Sequence, residues 1–166
     1  MKTLPEILYK YTPDRDTYDL LMTASDIKVS AEKERRLLQI SAHFPALIPK
    51  ETLYRIEEEV RAAYDLQYVK FLPNYAPELF NHAYISEVLK ETERVGVVAR
   101  GFFSSYRATL DENRLLIEIP FIKEGVMLLT GAHTQDIISR IIYSEFGLSV
   151  AVDIQNSEEM QNPVSE

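Results

Sequence analysis

The sequence predicts an α+β protein built from two tandem ββαβ units, with helices on one face of small mixed sheets. Three observations predict it. Hydrophobic periodicity switches between two and 3.6 in the same order twice, over residues 26–72 and 105–154. Each pass opens with a charged turn beside an Arg-Leu-Leu, Glu32-Lys33-Glu34-Arg35-Arg36-Leu37-Leu38 and then Asp111-Glu112-Asn113-Arg114-Leu115-Leu116. Each pass then runs through an amphipathic helical stretch into a closing apolar strand.

The elements follow in order. Leu4, Ile7, Leu8 and Tyr11 have helical spacing, and Pro5 suits a first turn. Thr12-Pro13-Asp14 breaks this segment. A second short helix over 16–22 groups Tyr18, Leu21 and Met22. In the first unit, Ile27 and Val29 share one face of a strand. Leu38, Ile40, Ala42 and Phe44 alternate on the next. Pro45 and Pro49 bracket a short link, because proline cannot serve a central strand. Leu53, Ile56, Val60 and Tyr64 form the stripe of a helix over 50–64, with Glu51 near its positive end. Residues 67–72 form the closing strand, and Pro73-Asn74 stops it.

A helix over 76–94 follows, striped by Leu79, Phe80, Tyr84, Val88 and Leu89. Gly96 and Gly101 flank a short turn that Phe102 and Phe103 anchor. The second sheet begins at 106–110. Leu115, Ile117, Ile119 and Phe121 alternate strictly. Residues 125–130 form a short helix, and a loop Gly131-Ala132-His133-Thr134 leads into a helix over 134–146. Ile137, Ile138, Ile141, Ile142 and Phe146 point inward there, and Gly147 caps the end. Residues 148–154 close the unit. The expected division is 1–75 for the arm and first unit and 76–154 for the second, with a polar, disordered tail over 155–166.

Bulk composition bounds the function. The 166 residues are 46% hydrophobic and 27% charged, as in soluble globular proteins. No apolar run approaches the ~20 residues of a membrane helix, and the first residues lack the apolar stretch of a secretory signal. A cytoplasmic protein with no membrane partner is expected. With no cysteine, neither disulfides nor thiolate metal sites arise. The net charge is −8, unevenly spread. Residues 1–75 carry 11 basic and 12 acidic side chains, net −1, and residues 76–166 carry 7 and 14, net −7. Strong nonspecific binding to nucleic acid is disfavoured, although the neutral half has room for a local basic patch.

Motifs for catalysis are missing. His43, His82 and His133 lack metal-ligand spacing, so no metal is expected. The run Glu57-Glu58-Glu59 reads as a solvated helix face rather than converging carboxylates. There is no phosphate loop and no nucleophile elbow, and Ser104-Ser105 has no neighbouring base. No enzyme activity and no cofactor are expected of this chain. Two features are candidate contacts for nucleic acid or a partner. One is the hairpin cluster Lys28, Lys33, Arg35 and Arg36, interleaved with Glu32 and Glu34. The other is the loop with Gly131, His133 and Thr134, placed like the backbone-clamping Gly-x-x-Gly loop of KH domains but with Thr134 in the fourth position. The plainer reading of that loop is a turn at Gly131 and a helix cap at Thr134.

A family resemblance rests on three stretches. They are Leu37-Leu38-Gln39-Ile40 through Leu47-Ile48-Pro49 into the Tyr54–Tyr64 helix, then Asn113-Arg114-Leu115-Leu116-Ile117-Glu118-Ile119, then Ile142-Tyr143-Ser144-Glu145-Phe146-Gly147-Leu148. Across most of residues 20–155 the chain resembles the N-terminal region of the PolC-type DNA polymerase III alpha subunit, the replicase of low-GC Gram-positive bacteria. The resemblance implies a parent DNA-directed DNA polymerase (a nucleotidyltransferase) with 3'-5' exonuclease activity, continuing into OB-fold, PHP, exonuclease and polymerase modules. It implies that the second unit is KH-like (type II, αββααβ), similar to the polymerase-binding domain of the clamp-loader tau subunit. The chain itself would be non-catalytic, a replisome interaction module whose partner is the clamp loader, helicase or primase. The alternative is a module that binds single-stranded nucleic acid.

Overall fold

A computed structural model of the chain describes residues 2–120 and 123–157. They form an α+β protein with two three-stranded mixed sheets and packed helices, arranged as two compact units, Met1–Leu79 and Phe80–Glu166.

The first unit begins with two short helices, α1 (Leu4–Ile7) and α2 (Arg15–Met22). Thr3 caps α1, with Pro5 in the first turn, and the Asp14 carboxylate caps α2 by accepting from the Thr17 N–H at 2.8 Å. That bond holds the Asp14 carboxyl below its ordinary pKa. Strand β1 (Ser25–Glu32) runs antiparallel to β2 (Leu37–His43), which runs parallel to β3 (Tyr68–Asn74), in the order β1-β2-β3. Parallel neighbours need a crossover, and α3 (Lys50–Ala63) supplies it. Ile40, Ala42 and Phe44 bury against Val69 and Phe71 and against Leu53, Ile56 and Val60 of α3. Leu4, Leu8 and Leu21 complete this core. Val29, expected in the apolar face, is exposed, because β1 is an edge strand.

The closing strand runs through Pro73 and Asn74, where the sequence predicts a stop. Pro73 pairs in register with Ala42. An edge strand tolerates this: the Phe71 N–H, two residues earlier on the same side, points outward, so proline's missing donor would also have faced away from β2. Glu57 of α3 accepts that outward N–H at 2.7 Å and is only 6% exposed. The expected solvated glutamate run is therefore split. Glu57 seals a sheet edge, Glu58 pairs with Arg61 at the surface, and Glu59 receives the Tyr11 hydroxyl.

The predicted helix over 76–94 is broken, and the division between the units, after Leu79, falls within that stretch. Two 3₁₀ turns, Pro77–Leu79 and His82–Tyr84, precede α4 (Ile85–Val95). Asn81 interrupts it: extended, it caps the second turn by accepting from Tyr84 N–H at 3.1 Å. A third 3₁₀ turn, Val97–Ala99, follows Gly96, whose missing side chain matters: a Cβ there would lie 3.1 Å from Ile137 Cδ1. Then come β4 (Arg107–Asp111), β5 (Arg114–Ile119), α5 (Lys123–Gly131), α6 (Thr134–Phe146) and β6 (Ala151–Asn156). The sheet order is β4-β5-β6, antiparallel then parallel, as in the first unit. Leu115, Ile117 and Ile119 are buried with Val88, Leu89, Ile138, Ile142, Phe146 and Ile154, while Ile137 and Ile141 are half-buried. Gly147 ends α6 in the left-handed region, φ 69°. Gln155 and Asn156, assigned by sequence to the tail, belong to β6 opposite Glu118 and Ile119. The rest of the expected tail, from 158, and Phe121 lie outside the described residues.

Candidate functional site

The hairpin cations do not converge. Lys28 lies mid-strand opposite Ser41, whereas Lys33, Arg35 and Arg36 occupy the turn, five or more residues away, about 16 Å at strand rise. Two of the turn cations are paired. Arg35 Nη1 sits 3.5 Å from Glu32, and Arg36 Nη1 sits 3.4 Å from Asp65 Oδ2 and donates to the Asp65 carbonyl at 3.2 Å. Glu32 from within the cluster and Asp65 from beyond α3 thus neutralise part of the predicted patch.

The second candidate is also reorganised. Gly131 is the last residue of α5, and a Cβ there meets only open space. The residue in the left-handed region is His133, φ 58°, which is also the N-terminal flanking residue of α6. Thr134, expected as the cap, is the first residue of α6 and is 1% exposed. No side-chain hydrogen bond caps α6. His133 Nδ1 lies 3.6 Å from Asp136 Oδ2, on the surface. One exposed glycine and one buried threonine make a helix–turn–helix connection, not a two-glycine clamp.

Two surfaces stand out that residue-by-residue reading missed. The first is the open face of the β1-β2-β3 sheet, opposite α3. Register places Lys28, Ser41 and Leu72 in one row, Ser30, Gln39 and Lys70 in the next, and Glu32, Leu37 and Tyr68 in the third. His43 and Asn74 are adjacent beyond the first row, and the His43 ring Nδ1 lies 2.8 Å from Asn74 Oδ1. The face mixes cations, amides and the exposed Tyr68 ring. The matching face of the second sheet differs. Its rows are Arg107–Glu118–Gln155, Thr109–Leu116–Asp153 and Asp111–Arg114–Ala151. Arg107 bridges Glu118 at 3.0 Å, and that hydrogen bond holds the Glu118 carboxyl below its ordinary pKa. Three carboxylates against two guanidiniums leave this face acidic.

The second surface is apolar. Along α5, Met127 and Leu128 are 60% and 56% exposed. The Val97–Ala99 turn packs beside α5 and adds Val97 and Val98, 67% and 42% exposed. Periodicity predicted a short apolar helix here, but exposure depends on which side its neighbours occupy. Sequence alone does not carry that.

Among the described residues no group of three or more histidines and carboxylates converges as metal ligands, and no helix is long and apolar enough to cross a membrane. No protein-family model matches this chain, and no curated protein matches it.

Proposed function

We propose that the chain is a non-catalytic interaction module of a replicative DNA polymerase of the PolC type, and that it docks on a replisome protein, the clamp loader, helicase or primase. The observation that carries the reading is the exposure of four apolar side chains, Val97, Val98, Met127 and Leu128, on two segments that pack together in an otherwise acidic unit. Exposed large apolar side chains brought together on one surface mark protein contact sites. The acidity of the same unit disfavours a nucleic-acid backbone as the ligand there. The sequence resemblance supplies the polymerase context.

Calorimetric titration of the chain with purified clamp loader, helicase and primase from the same organism tests it. One of the three should bind, and Met127→Asp with Leu128→Asp should weaken that binding at least tenfold. Absence of binding to all three, or binding indifferent to both substitutions, overturns the reading.

A second reading, binding of single-stranded nucleic acid, is favoured by one specific observation. The open face of the first sheet carries Lys28, Lys70, His43 and Tyr68 together, the mixture of cation and stacking ring that such ligands use. Fluorescence anisotropy with labelled single-stranded DNA should show binding that weakens as salt rises. A flat titration removes this reading.

A further inference from the structure

We infer that the first unit holds a nucleotide-phosphate site at the end of its open sheet face, centred on Lys2 and Lys28. The inference deepens the second reading above and names where a strand would be gripped. A hollow of about 550 Å³ opens there, between the start of the chain and the β1-β2 hairpin. Its donors come from four segments. Lys2 reaches from the segment before α1, Lys28 from β1, and Ser41 and Asn74 from β2 and β3.

The local backbone explains the convergence. The pairing of β1 with β2 shifts register between Ser25 and Lys28, and Asp26 takes a left-handed φ of 48°. Such a bulge re-aims the side chains around it, and bulges recur beside functional sites. Asn74 is held by both neighbours: its carbonyl accepts from the Phe44 N–H at 2.9 Å, and its Oδ1 is engaged by the His43 ring. The Asn74 amide NH₂ is then the end left to donate into the hollow.

Charge selects the ligand class. Among the described residues neither Lys2 nor Lys28 has a carboxylate partner, unlike Arg35 and Arg36. Two ammoniums against the single carboxylate of Asp26 leave the hollow positive. Two ammoniums, a hydroxyl and an amide donor together suit phosphate oxygens. Asp26 adds an acceptor, which a sugar hydroxyl can use. Ile7 and Ile27 contribute apolar wall beside it. Phosphate with an attached sugar is therefore the chemistry the hollow fits, whether from a free nucleotide or from a strand continuing past Lys70 and Tyr68.

The test is a ¹⁵N NMR titration of the whole chain with inorganic phosphate, thymidine monophosphate and a ten-residue oligothymidylate, run alongside anisotropy at several salt concentrations. The Asn74 side-chain amide and the Ser41 backbone amide should shift with the nucleotide, and less with phosphate alone. Lys2→Gln with Lys28→Gln should weaken strand binding at least tenfold and flatten the logarithmic salt slope by about 1.4, at ~0.7 per phosphate contact on single strands. Lys33→Gln, a turn cation outside the hollow, should change affinity less than twofold. All three positions are exposed, so an unchanged amide spectrum in the free variants establishes that they fold. Strand binding that the double variant leaves intact overturns the site and spares the second reading. Nucleotide shifts without strand binding support the site and remove that reading. Neither shift nor strand binding overturns both.

Discussion

The two units share a frame and differ in what they do with its surfaces. In each, an antiparallel hairpin leads to a parallel strand through one long helix, and the same hydrogen bonds close the sheet. The residue before the middle strand accepts from the start of the parallel strand, Gln67 N–H to Arg36 and Ala151 N–H to Asn113. In each, a tyrosine ahead of the sheet donates its hydroxyl to a glutamate on that helix, Tyr11 to Glu59 and Tyr84 to Glu145. The differences lie elsewhere. The first unit joins β2 to α3 through a proline-bracketed link and presents a cationic sheet face. The second inserts α5, exposes apolar side chains on it, and keeps an acidic sheet face. A repeated topology therefore sets where surfaces lie, and side chains with no packing duty set what those surfaces bind.

The largest effect that tests this comparison comes from the two cores. Ile40 and Ile117 hold equivalent central positions on β2 and β5, and both are fully buried. Truncating either to alanine should cost about 2–5 kcal/mol. Amide hydrogen exchange should place the loss in the unit that holds the substitution. Equal loss of protection in both units from one substitution would break the description of two compact units.

Next in size is Glu57 of the first unit, which holds a sheet edge. Glu57→Ala leaves the Phe71 N–H of a sheet edge without its buried acceptor, a loss of about 1–3 kcal/mol by chemical denaturation. Glu57→Gln keeps an acceptor oxygen and should lose less. Equal losses would mean that packing, not the hydrogen bond, holds the edge.

The tyrosine–glutamate pairs should respond alike to Tyr→Phe, with losses of about 1.5–3 kcal/mol for hydrogen bonds to a charged acceptor. Tyr11 adds a pH signature. Burial first, and then the Glu59 hydrogen bond and charge, raise its pKa above the ordinary 10.0. A raised folded pKa means that the neutral phenol is favoured by folding. This contribution is complete below about pH 10 and lost as pH climbs above it. Wild-type stability should therefore fall more steeply than that of Tyr11→Phe above pH 10. Parallel curves would remove the role of the pair.

Much of this frame was legible in the sequence, and the failures have local causes. Strict alternation at Leu115, Ile117 and Ile119 and the 3–4 spacing of Leu53, Ile56 and Val60 placed strands and a helix correctly, because packing against a core enforces both periods. Asn81 hid a helix break, since its cap acts through one hydrogen bond that periodicity does not register. Glu57 read as solvent-facing because its acceptor role depends on a strand fourteen residues away. Lys28 groups in sequence with turn cations that the fold holds apart from it. Lys2 and Asn74, its neighbours in the hollow, are distant in sequence and share no motif with it.

The smallest effect concerns how the two long helices end. Both exit through a left-handed residue, Asp65 after α3 with φ 52° and Gly147 after α6 with φ 69°. Glycine adopts this region freely, whereas an L side chain strains against its own carbonyl there. Gly147→Ala should cost about 1 kcal/mol. The reverse change, Asp65→Gly, relieves strain but removes the exposed pairing with Arg36, which is worth under ~1 kcal/mol at the surface. The Arg36 bond to the Asp65 carbonyl survives it. The net gain should be roughly 0.5 kcal/mol, read as a higher denaturation midpoint, because the strain relieved outweighs a screened ion pair. Destabilisation by Asp65→Gly would instead show that the Arg36–Asp65 contact fastens the hairpin turn to the end of α3, a fastening with no equivalent at Gly147.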